Sequence, residues 1–140
     1  MAPPRLPTRS HCPINFGLEI FGDKWTLLVL RDLLLMNKRG FKEFQASEES
    51  ISTNMLADRL DRLTRAGLVT AQRVASDSRQ IHYQPTPRAR ALLPVLIEMA
   101  YWGAKHDPET AAPKSFVRAY EKDRTGLLLA VAGGAIPSKG

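Results

Sequence analysis

The sequence contains a single cysteine, Cys12, among its 140 residues, so no disulfide can form within one chain. This scarcity is typical of a reducing, cytoplasmic setting. Long hydrophobic runs are also missing, because the longest uncharged and mainly apolar tract, at residues 125–138, is too short and too glycine-rich to cross a bilayer. The first residues are prolines and arginines, unlike a signal peptide. We therefore expect a cytoplasmic protein that does not associate with a membrane.

The sequence patterns of enzyme active sites are absent too. There is no glycine-rich phosphate loop, no nucleophile elbow and no carboxylate pair with a suitably placed histidine. The histidines and the cysteine are too scattered for a zinc site; they are His11, Cys12, His82 and His106. The sequence thus predicts a protein without enzymatic activity, without a metal ion and without a cofactor.

Positive charge exceeds negative charge, with 20 lysines and arginines against 14 aspartates and glutamates. Most of the excess lies in residues 52–90, which hold 7 basic and 3 acidic side chains. Such an excess fits a polyanionic partner such as DNA, although many proteins carry one for solubility alone. The chain is long enough, and with 44% hydrophobic residues apolar enough, to bury a core without disulfides.

Residues 51–69 carry signals for both ends of one helix. Ser52 is a typical N-cap residue, and hydrophobic residues flank it at the spacing of a hydrophobic staple. Gly67 suits the left-handed position after a helix, where Leu68 can fold back as in a Schellman motif. An apolar stripe at helical spacing predicts the buried face, formed by Leu56, Leu60 and Leu63.

A short helix around Phe41 and Phe44, followed by a turn at residues 47–50, precedes this helix. Together they predict a helix-turn-helix, in which the first turn of the second helix meets the edges of DNA bases. We predict base contacts from Ser52, Thr53 and Asn54, and phosphate contacts from the arginines Arg39, Arg59 and Arg62. Alternatively, this face is a solvated surface with ion pairs from Asp58 to Arg62 and from Asp61 to Arg65.

After Gly67 the sequence changes to strand character. Residues 68–74 and 81–84 flank a polar segment, so we predict a β-hairpin with a six-residue tip at residues 75–80. A hairpin directly after a recognition helix forms the wing of a winged helix-turn-helix. Arg79 near its tip can contact phosphate or the minor groove, or it is an exposed loop arginine without a ligand.

Further helices are predicted on both sides. Pro13 favours the first position of a helix with Cys12 as its N-cap, and Asp23 can cap a largely apolar, central helix at residues 24–36. Pro87 begins a long helix to about Lys105, which should bend near Pro94 and which presents a wide apolar stripe. That stripe fits a dimer interface or packing on the protein's own core.

The predicted fold class is α+β and mostly α. It is a winged helix-turn-helix with a two-stranded β-hairpin wing and additional N- and C-terminal dimerisation helices. Residues 1–11 are predicted to be a flexible arm, 12–106 the winged domain with its dimerisation helices, and 107–140 a linker and a C-terminal helical extension. The extension allows one or two helices, interrupted near Gly126 and ended by Gly133-Gly134.

The stretch from about Cys12 to Gly103 contains several short segments that, taken together, are typical of one family. They are Cys12-Pro13, Gly22-Asp-Lys-Trp-Thr-Leu-Leu-Val-Leu-Arg31, Phe41 with Phe44, Ile51-Ser-Thr-Asn-Met-Leu56, Arg59-Leu60, Gly67-Leu68-Val69, Tyr83 with Thr86-Pro87, and Leu93-Pro-Val-Leu96. In combination they resemble the HxlR-type winged helix-turn-helix transcriptional regulators of bacteria. The resemblance implies a homodimer on a pseudo-palindromic operator in double-stranded DNA. The alternative is a winged helix that binds another protein, motivated by the two aspartates on the exposed helix face.

Some proteins that this chain resembles sense oxidants or electrophiles through a cysteine at the position of Cys12, which implies a small-molecule or electrophile effector. A thiol at a helix N-terminus has its reactive thiolate favoured by the helix dipole. The alternative is a small buried or capping residue. With one cysteine per chain, the oxidised product must be an intersubunit disulfide, a mixed disulfide or a sulfur adduct.

Overall fold

The computed structural model describes residues 8–134. They form two compact units, one ending at Ala89 and the other beginning at Arg90. Of the predicted arm, residues 1–7 lie outside the described part, as do residues 135–140 of the predicted extension. The functional boundaries at residues 11 and 106 stay a prediction. Among the described helices, none is both long enough and apolar enough to cross a membrane.

The first unit contains helices α1 (Pro13–Phe21), α2 (Thr26–Leu34), α3 (Phe41–Gln45) and α4 (Thr53–Arg65), followed by strands β1 (Val69–Val74) and β2 (Asp77–Pro85). The short helix α5 (Pro87–Arg90) lies at the boundary between the units. The second unit contains α6 (Leu93–His106), α7 (Lys114–Lys122) and α8 (Arg124–Ala132). This order is the mostly helical, winged helix-turn-helix fold that the sequence predicts.

The core of the first unit joins α2, α3 and α4. Its fully buried side chains include Leu30, Leu33, Phe44, Leu56, Leu60 and Leu63. The last three are the predicted stripe of α4, which confirms the buried face of that helix. Because each such leucine contributes about 1.5–3 kcal/mol when it leaves water, the stripe determines which face of α4 remains exposed.

Both ends of α4 are as predicted. The Ser52 hydroxyl accepts a hydrogen bond from the Met55 amide at 3.2 Å and caps the helix. At the other end Gly67 has φ +77°, the Leu68 amide donates to the Leu63 carbonyl at 2.9 Å, and the Gly67 amide donates to the Thr64 carbonyl at 3.1 Å. These two bonds define a Schellman motif. The helix therefore begins and ends at residues chosen by its own local sequence.

Of the two helices before α3, α1 begins where predicted and α2 begins two residues later. Cys12 is the N-cap residue of α1 and Pro13 its first residue. The Asp23 carboxylate accepts the amides of Trp25 at 2.8 Å and Thr26 at 3.0 Å, so it caps the turn that precedes α2, whose N-cap residue is Trp25 and not the predicted Asp23. Because those bonds close a turn first, α2 covers Thr26–Leu34 and is shorter than the predicted 24–36.

The wing differs from the prediction at its tip. Strands β1 and β2 pair antiparallel from Val69 opposite Pro85 to Val74 opposite Asp77, so only Ala75 and Ser76 connect them. The predicted six-residue tip at 75–80 was wrong. The prediction assumed that one face of the hairpin is buried, in which case a run of polar residues indicates a loop. This hairpin is largely exposed on both faces, so its strands can be polar throughout.

The long helix predicted from Pro87 to Lys105 is two helices. Pro94 lies in the first turn of α6, where its missing N–H leaves no intrahelical bond unmade. Within one continuous helix its ring would clash with the carbonyl of Arg90. Pro94 therefore starts a new helix, and the predicted bend was wrong.

The C-terminal helices are separated at Asp123, three residues before the predicted interruption at Gly126. The Asp123 carboxylate accepts the Gly126 amide at 3.0 Å and caps α8, so the glycine lies inside the first turn of that helix. An acidic capping residue thus outweighs a glycine as the signal for a helix start. The predicted end at Gly133 is confirmed, because α8 ends at Ala132.

Candidate nucleic-acid interface

The first turn of α4 presents Ser52, Thr53 and Asn54 to solvent, as expected for a base-contacting surface. Their side chains differ in availability. Ser52 uses its oxygen as the helix cap, and the Thr53 hydroxyl accepts a hydrogen bond from the Gln45 amide nitrogen at 2.7 Å. The Asn54 side chain makes no hydrogen bond to any described residue. Its amide can therefore pair with both acceptor and donor groups of an adenine edge.

The sequence-based prediction did not include two residues of this surface, Ala57 and Gln45. Ala57 is exposed one turn after Thr53 and Asn54, where a methyl group can contact a thymine methyl. Its spacing of four and three residues from them is the signal that could have found it. Gln45, the last residue of α3, approaches the turn from a different helix. No local sequence pattern indicates that contact.

The aspartates of α4 are paired along the helix, as the alternative interpretation predicts. Asp61 lies 2.9 Å from Arg65, and Asp58 lies 3.8 Å from Arg62. All four side chains are at least half exposed, so each pair contributes only a few tenths of a kcal/mol. The pairs neutralise the acidic charge near the candidate interface without fixing their arginines in place.

Arg59 does not occupy the position expected of a phosphate contact. Its side chain is only 12% exposed, and its Nε donates to the Asp23 carboxylate at 2.9 Å, while its Nη1 donates to the Asp58 carboxylate. Burial by itself raises the pKa of Asp23, but hydrogen bonds from Thr26, Arg59 and the backbone outweigh it and hold that pKa well below the usual range. Arg59 thus joins α4 to the start of α2.

Arg39 is likewise committed within the protein. Its guanidinium donates to the Leu33 carbonyl at 2.9 Å and to the Lys38 carbonyl at 2.8 Å, so it binds the C-terminal end of α2. Its own carbonyl accepts the Tyr83 amide at 2.9 Å, which attaches the loop before α3 to the wing. These contacts favour a structural role for Arg39 over the predicted phosphate contact.

Two of the predicted phosphate-binding arginines remain accessible. Arg62 is half exposed on α4, and Arg79 is 91% exposed on β2, where its Nε lies 3.3 Å from Asp77. Because such exposed ion pairs are weak, either arginine can exchange its carboxylate for a phosphate oxygen.

A cluster of polar and charged side chains around the buried Asp32 holds the turn before α4. Asp32, which is 2% exposed, accepts hydrogen bonds from Ser47 and from Arg31. Arg31 also donates to both carboxylate oxygens of Glu49, at 2.7 and 2.9 Å. The hydrogen bond from Arg31 is the main reason that the pKa of Glu49 falls to about 2. Lys38 donates to Ser47 at 2.7 Å. No local sequence pattern indicates this cluster, which joins α2 to the turn before α4 and holds that turn in place.

The Cys12 side chain is exposed and makes no capping hydrogen bond. The alternative of a buried residue does not fit this position, whereas Cys12 is the N-cap residue of α1, although its thiol accepts no backbone N–H there. Within residues 8–134, no three His, Cys, Asp or Glu side chains are arranged to bind a metal ion.

Each unit also exposes large apolar side chains. On α1 they are Ile14, Phe16 and Leu18, and on α6 they are Met99 and Trp102, of which Trp102 is 67% exposed. The opposite side of α6 is covered, because Tyr101 stacks on Tyr120 of α7 with ring centroids 3.8 Å apart. Exposed apolar side chains of this size, where they form one patch, are typical of protein interfaces; Ile14 with Leu18 on α1, and Met99 with Trp102 on α6, have the spacing that places two residues on one helix face.

Residues 20–111 match the family model for the HxlR-like helix-turn-helix. The HTH-type transcriptional regulator YybR of Bacillus subtilis (strain 168) is 30% identical over 97 residues, which cover 69% of this chain and 77% of YybR. YdeP, an HTH-type transcriptional regulator of the same organism, is 33% identical over 68% of this chain and 73% of its own length.

Among solved structures, PA1607 superimposes with a TM-score of 0.66 and 32% identity, covering 74% of this chain and 72% of PA1607. The redox regulator HypR in its oxidized form gives 0.60 and 27%, over 68% of this chain and 97% of HypR. Quinone-bound YodB from B. subtilis gives 0.53 and 30%, over 67% of this chain and 99% of YodB.

Proposed function

This chain belongs to the HxlR-like helix-turn-helix family of transcriptional regulators, a family without enzymatic activity, and from that membership we propose that it is a cytoplasmic, sequence-specific DNA-binding protein. One observation carries the proposal. The first turn of α4 exposes polar side chains while the rest of the helix is fixed by a buried leucine stripe and by the Arg59 pair. Such a turn is the part of a helix-turn-helix that enters the major groove.

In this proposal Ser52, Thr53 and Asn54 contact base edges, and Arg62 and Arg79 contact phosphates on either side. Asn54 provides the strongest discrimination, because its amide can bond an adenine at two points. Arg39 and Arg59 take part indirectly, by holding the frame in which α4 is presented.

We further propose a homodimer on a pseudo-palindromic operator. The exposed apolar side chains of α1 and of α6 are the support for it, since a second copy of the chain would cover them. A two-fold dimer presents two identical recognition helices, so its half-sites are related by the same symmetry and lie about one helical turn, or a multiple, apart.

Selection of bound duplexes from random DNA tests both proposals together, because it gives half-site sequence and spacing. Asn54→Ala should then relax the preference at one position of each half-site, at a cost of about 1–3 kcal/mol there. Arg79→Ala should weaken binding to all sequences alike and lower the salt slope by about one. Arg118→Ala, an exposed arginine of α7, is the matched control and should change neither. If Asn54→Ala and Arg79→Ala both bind like wild type, the docking is wrong.

The alternative is a protein-interaction module that uses the same winged helix. Its motivation was the exposed Asp58 and Asp61, and the arginines paired with both reduce the acidic character of that face. A salt titration separates the two functions, because affinity for duplex DNA must fall steeply as salt replaces the released counterions. Absence of duplex binding at low salt would favour the protein partner.

We also propose that Cys12 responds to oxidants or to quinone-like electrophiles. The exposed thiol at the N-terminus of α1 supports this, together with the redox regulation named for HypR and the quinone bound to YodB. Treatment with hydrogen peroxide or benzoquinone should change the operator affinity of wild type and leave Cys12→Ser unchanged. A non-reducing gel shows whether the oxidised product joins two subunits. An equal response of the variant would exclude Cys12 as the sensor.

A further inference from the structure

Lys42, on α3, carries a positive charge that no internal contact uses. Its side chain is exposed and makes no hydrogen bond, ion pair or ring contact with any residue of the described range 8–134. The neighbouring carboxylate, Glu43, accepts the Gly40 amide at 3.0 Å instead. The other basic side chains between residues 26 and 65 all have a hydrogen-bond or ion-pair partner; they are Arg31, Lys38, Arg39, Arg59, Arg62 and Arg65. Lys42 is therefore available to a ligand without the loss of an internal contact.

Helix α3 is attached at its two ends to the two elements that are proposed to touch DNA. Just before it, the Tyr83 amide of the wing donates to the Arg39 carbonyl at 2.9 Å. At its last residue, the Gln45 Nε2 donates to the Thr53 Oγ1 in the first turn of α4 at 2.7 Å. Lys42 lies between these two attachments. Lys42 and Gln45 are three residues apart, so their Cβ atoms are about 5–6 Å apart on neighbouring parts of one helix surface.

We propose that Lys42 contacts a DNA phosphate beside the major groove that receives the first turn of α4. This inference rests on the proposed DNA binding. When the second helix of a helix-turn-helix lies in the groove, the first helix crosses the sugar-phosphate backbone, and here that first helix is α3. A lysine ammonium on its flexible four-carbon stem binds a phosphate as a point charge. Arg62 has to leave Asp58 to make such a contact, whereas Lys42 leaves no partner among the described residues.

Salt titrations of duplex binding test the contact. Lys42→Gln should weaken binding to every sequence alike and should lower the salt slope by about one, because one phosphate is no longer neutralised. Lys42→Arg keeps the charge and should keep the wild-type slope. Lys114→Gln is the matched control, since it removes one positive charge from an exposed lysine at the start of α7, and it should keep the slope as well. Urea unfolding of Lys42→Gln should equal that of wild type, because the side chain has no partner within residues 8–134.

A duplex in which one phosphate of each half-site is replaced by a neutral methylphosphonate locates the contact. Scanning the replacement along the half-site should reveal one position at which wild type loses affinity and Lys42→Gln loses much less. The two losses should not add there, because the lysine and the phosphate act through one interaction. At the other positions both proteins should lose affinity equally.

Three results would overturn the inference while DNA binding stands. The first is a wild-type salt slope in Lys42→Gln, and the second is an equal fall of the slope in Lys114→Gln, which would show an effect of net charge. The third is a changed base preference in Lys42→Gln, because a phosphate contact reads no sequence. If wild type itself binds no duplex at low salt, the proposed function fails and the inference fails with it.

Discussion

The pair between Asp23 and Arg59 gives the sharpest prediction about how the recognition helix is held. Asp23 is 26% exposed and accepts hydrogen bonds from the Trp25 and Thr26 amides, from the Thr26 hydroxyl at 2.5 Å, and from Arg59 at 2.9 Å. One carboxylate thus accepts the backbone amides at the turn before α2 and binds α4. Substitutions at Asp23 can separate these two roles, because asparagine retains an oxygen for the backbone amides but lacks the charge that binds Arg59, whereas alanine lacks both.

The expected loss follows from the number of bonds. Asp23→Asn retains an oxygen for the backbone amides but loses the charge that binds Arg59, and a net charge-assisted hydrogen bond contributes about 1.5–3 kcal/mol. Asp23→Ala also loses the cap, which adds about 1 kcal/mol. We therefore expect the free energy of unfolding to fall by about 1.5–3 kcal/mol in the first variant and about 2.5–4 kcal/mol in the second.

Urea unfolding followed by circular dichroism measures these losses. Asp61→Asn is the matched control, since Asp61 also pairs with an arginine of α4 but at the surface, and it should change stability by less than about 0.5 kcal/mol. The pKa of Asp23 is lowered in the folded state, so its contribution is complete above the unfolded value near 3.8 and is lost as pH falls. The difference between wild type and Asp23→Asn should therefore shrink below about pH 4.

The reasoning would be refuted if Asp23→Asn lost no more stability than Asp61→Asn at neutral pH. It would also be refuted if the difference between wild type and Asp23→Asn grew as the solution was acidified. Either result would mean that the part-buried pair with Arg59 behaves like an ordinary surface ion pair.

Two further predictions concern the elements on either side of α4. The pKa of Glu49 is lowered to about 2 chiefly by its hydrogen bond from Arg31, so Glu49→Gln should cost stability at pH 7 and progressively less as pH falls from about 4.5 toward 2. Because that side chain is 38% exposed, we expect only about 0.5–1 kcal/mol in urea unfolding, and an undiminished difference at pH 2 would contradict the assignment. Gly67→Ala should lower the free energy of unfolding by about 1–2 kcal/mol, because φ is +77° and alanine is strained in that region. The loss would come from the backbone alone, since the added methyl would meet nothing closer than Arg88 at 3.9 Å. A melting temperature equal to that of wild type would show that the turn relaxes.

The sequence predicted the features of α4 that depend on neighbouring residues. Ser52 at the start and Gly67 at the end act within one helical turn, and the leucine stripe needs only a helical period. For the same reason the sequence indicated that Asp23 accepts backbone amides close to the start of α2, although the N-cap residue itself is Trp25. Helix caps and helix ends depend on residues only three to five positions apart, so they can be predicted from the sequence without knowledge of the tertiary structure.

The sequence could not predict where the arginine side chains go. Arg59 and Arg62 have the same side chain and lie three residues apart, yet one is 12% exposed and the other 50%. The difference arises because the partner of Arg59, Asp23, is 36 residues away and reaches it only after the helices pack. The contact of Gln45 with Thr53 likewise joins two elements. Base contacts themselves remain a prediction, because they require DNA.

Because Arg59 is part-buried, other elements than α4 must supply most of the positive charge that would attract DNA phosphates. The exposed charged residues of α4 are Asp58, Asp61, Arg62 and Arg65, two of each sign, so their charges sum to zero. Binding that does not depend on sequence is driven by uncompensated positive charge near phosphates, so α4 can add little to it. The wing has Arg73 and Arg79 against a single aspartate, and it therefore supplies more of that attraction. If the chain binds DNA as proposed, removing the wing arginines lowers the affinity for all sequences, whereas changes in the first turn of α4 alter which sequence is bound.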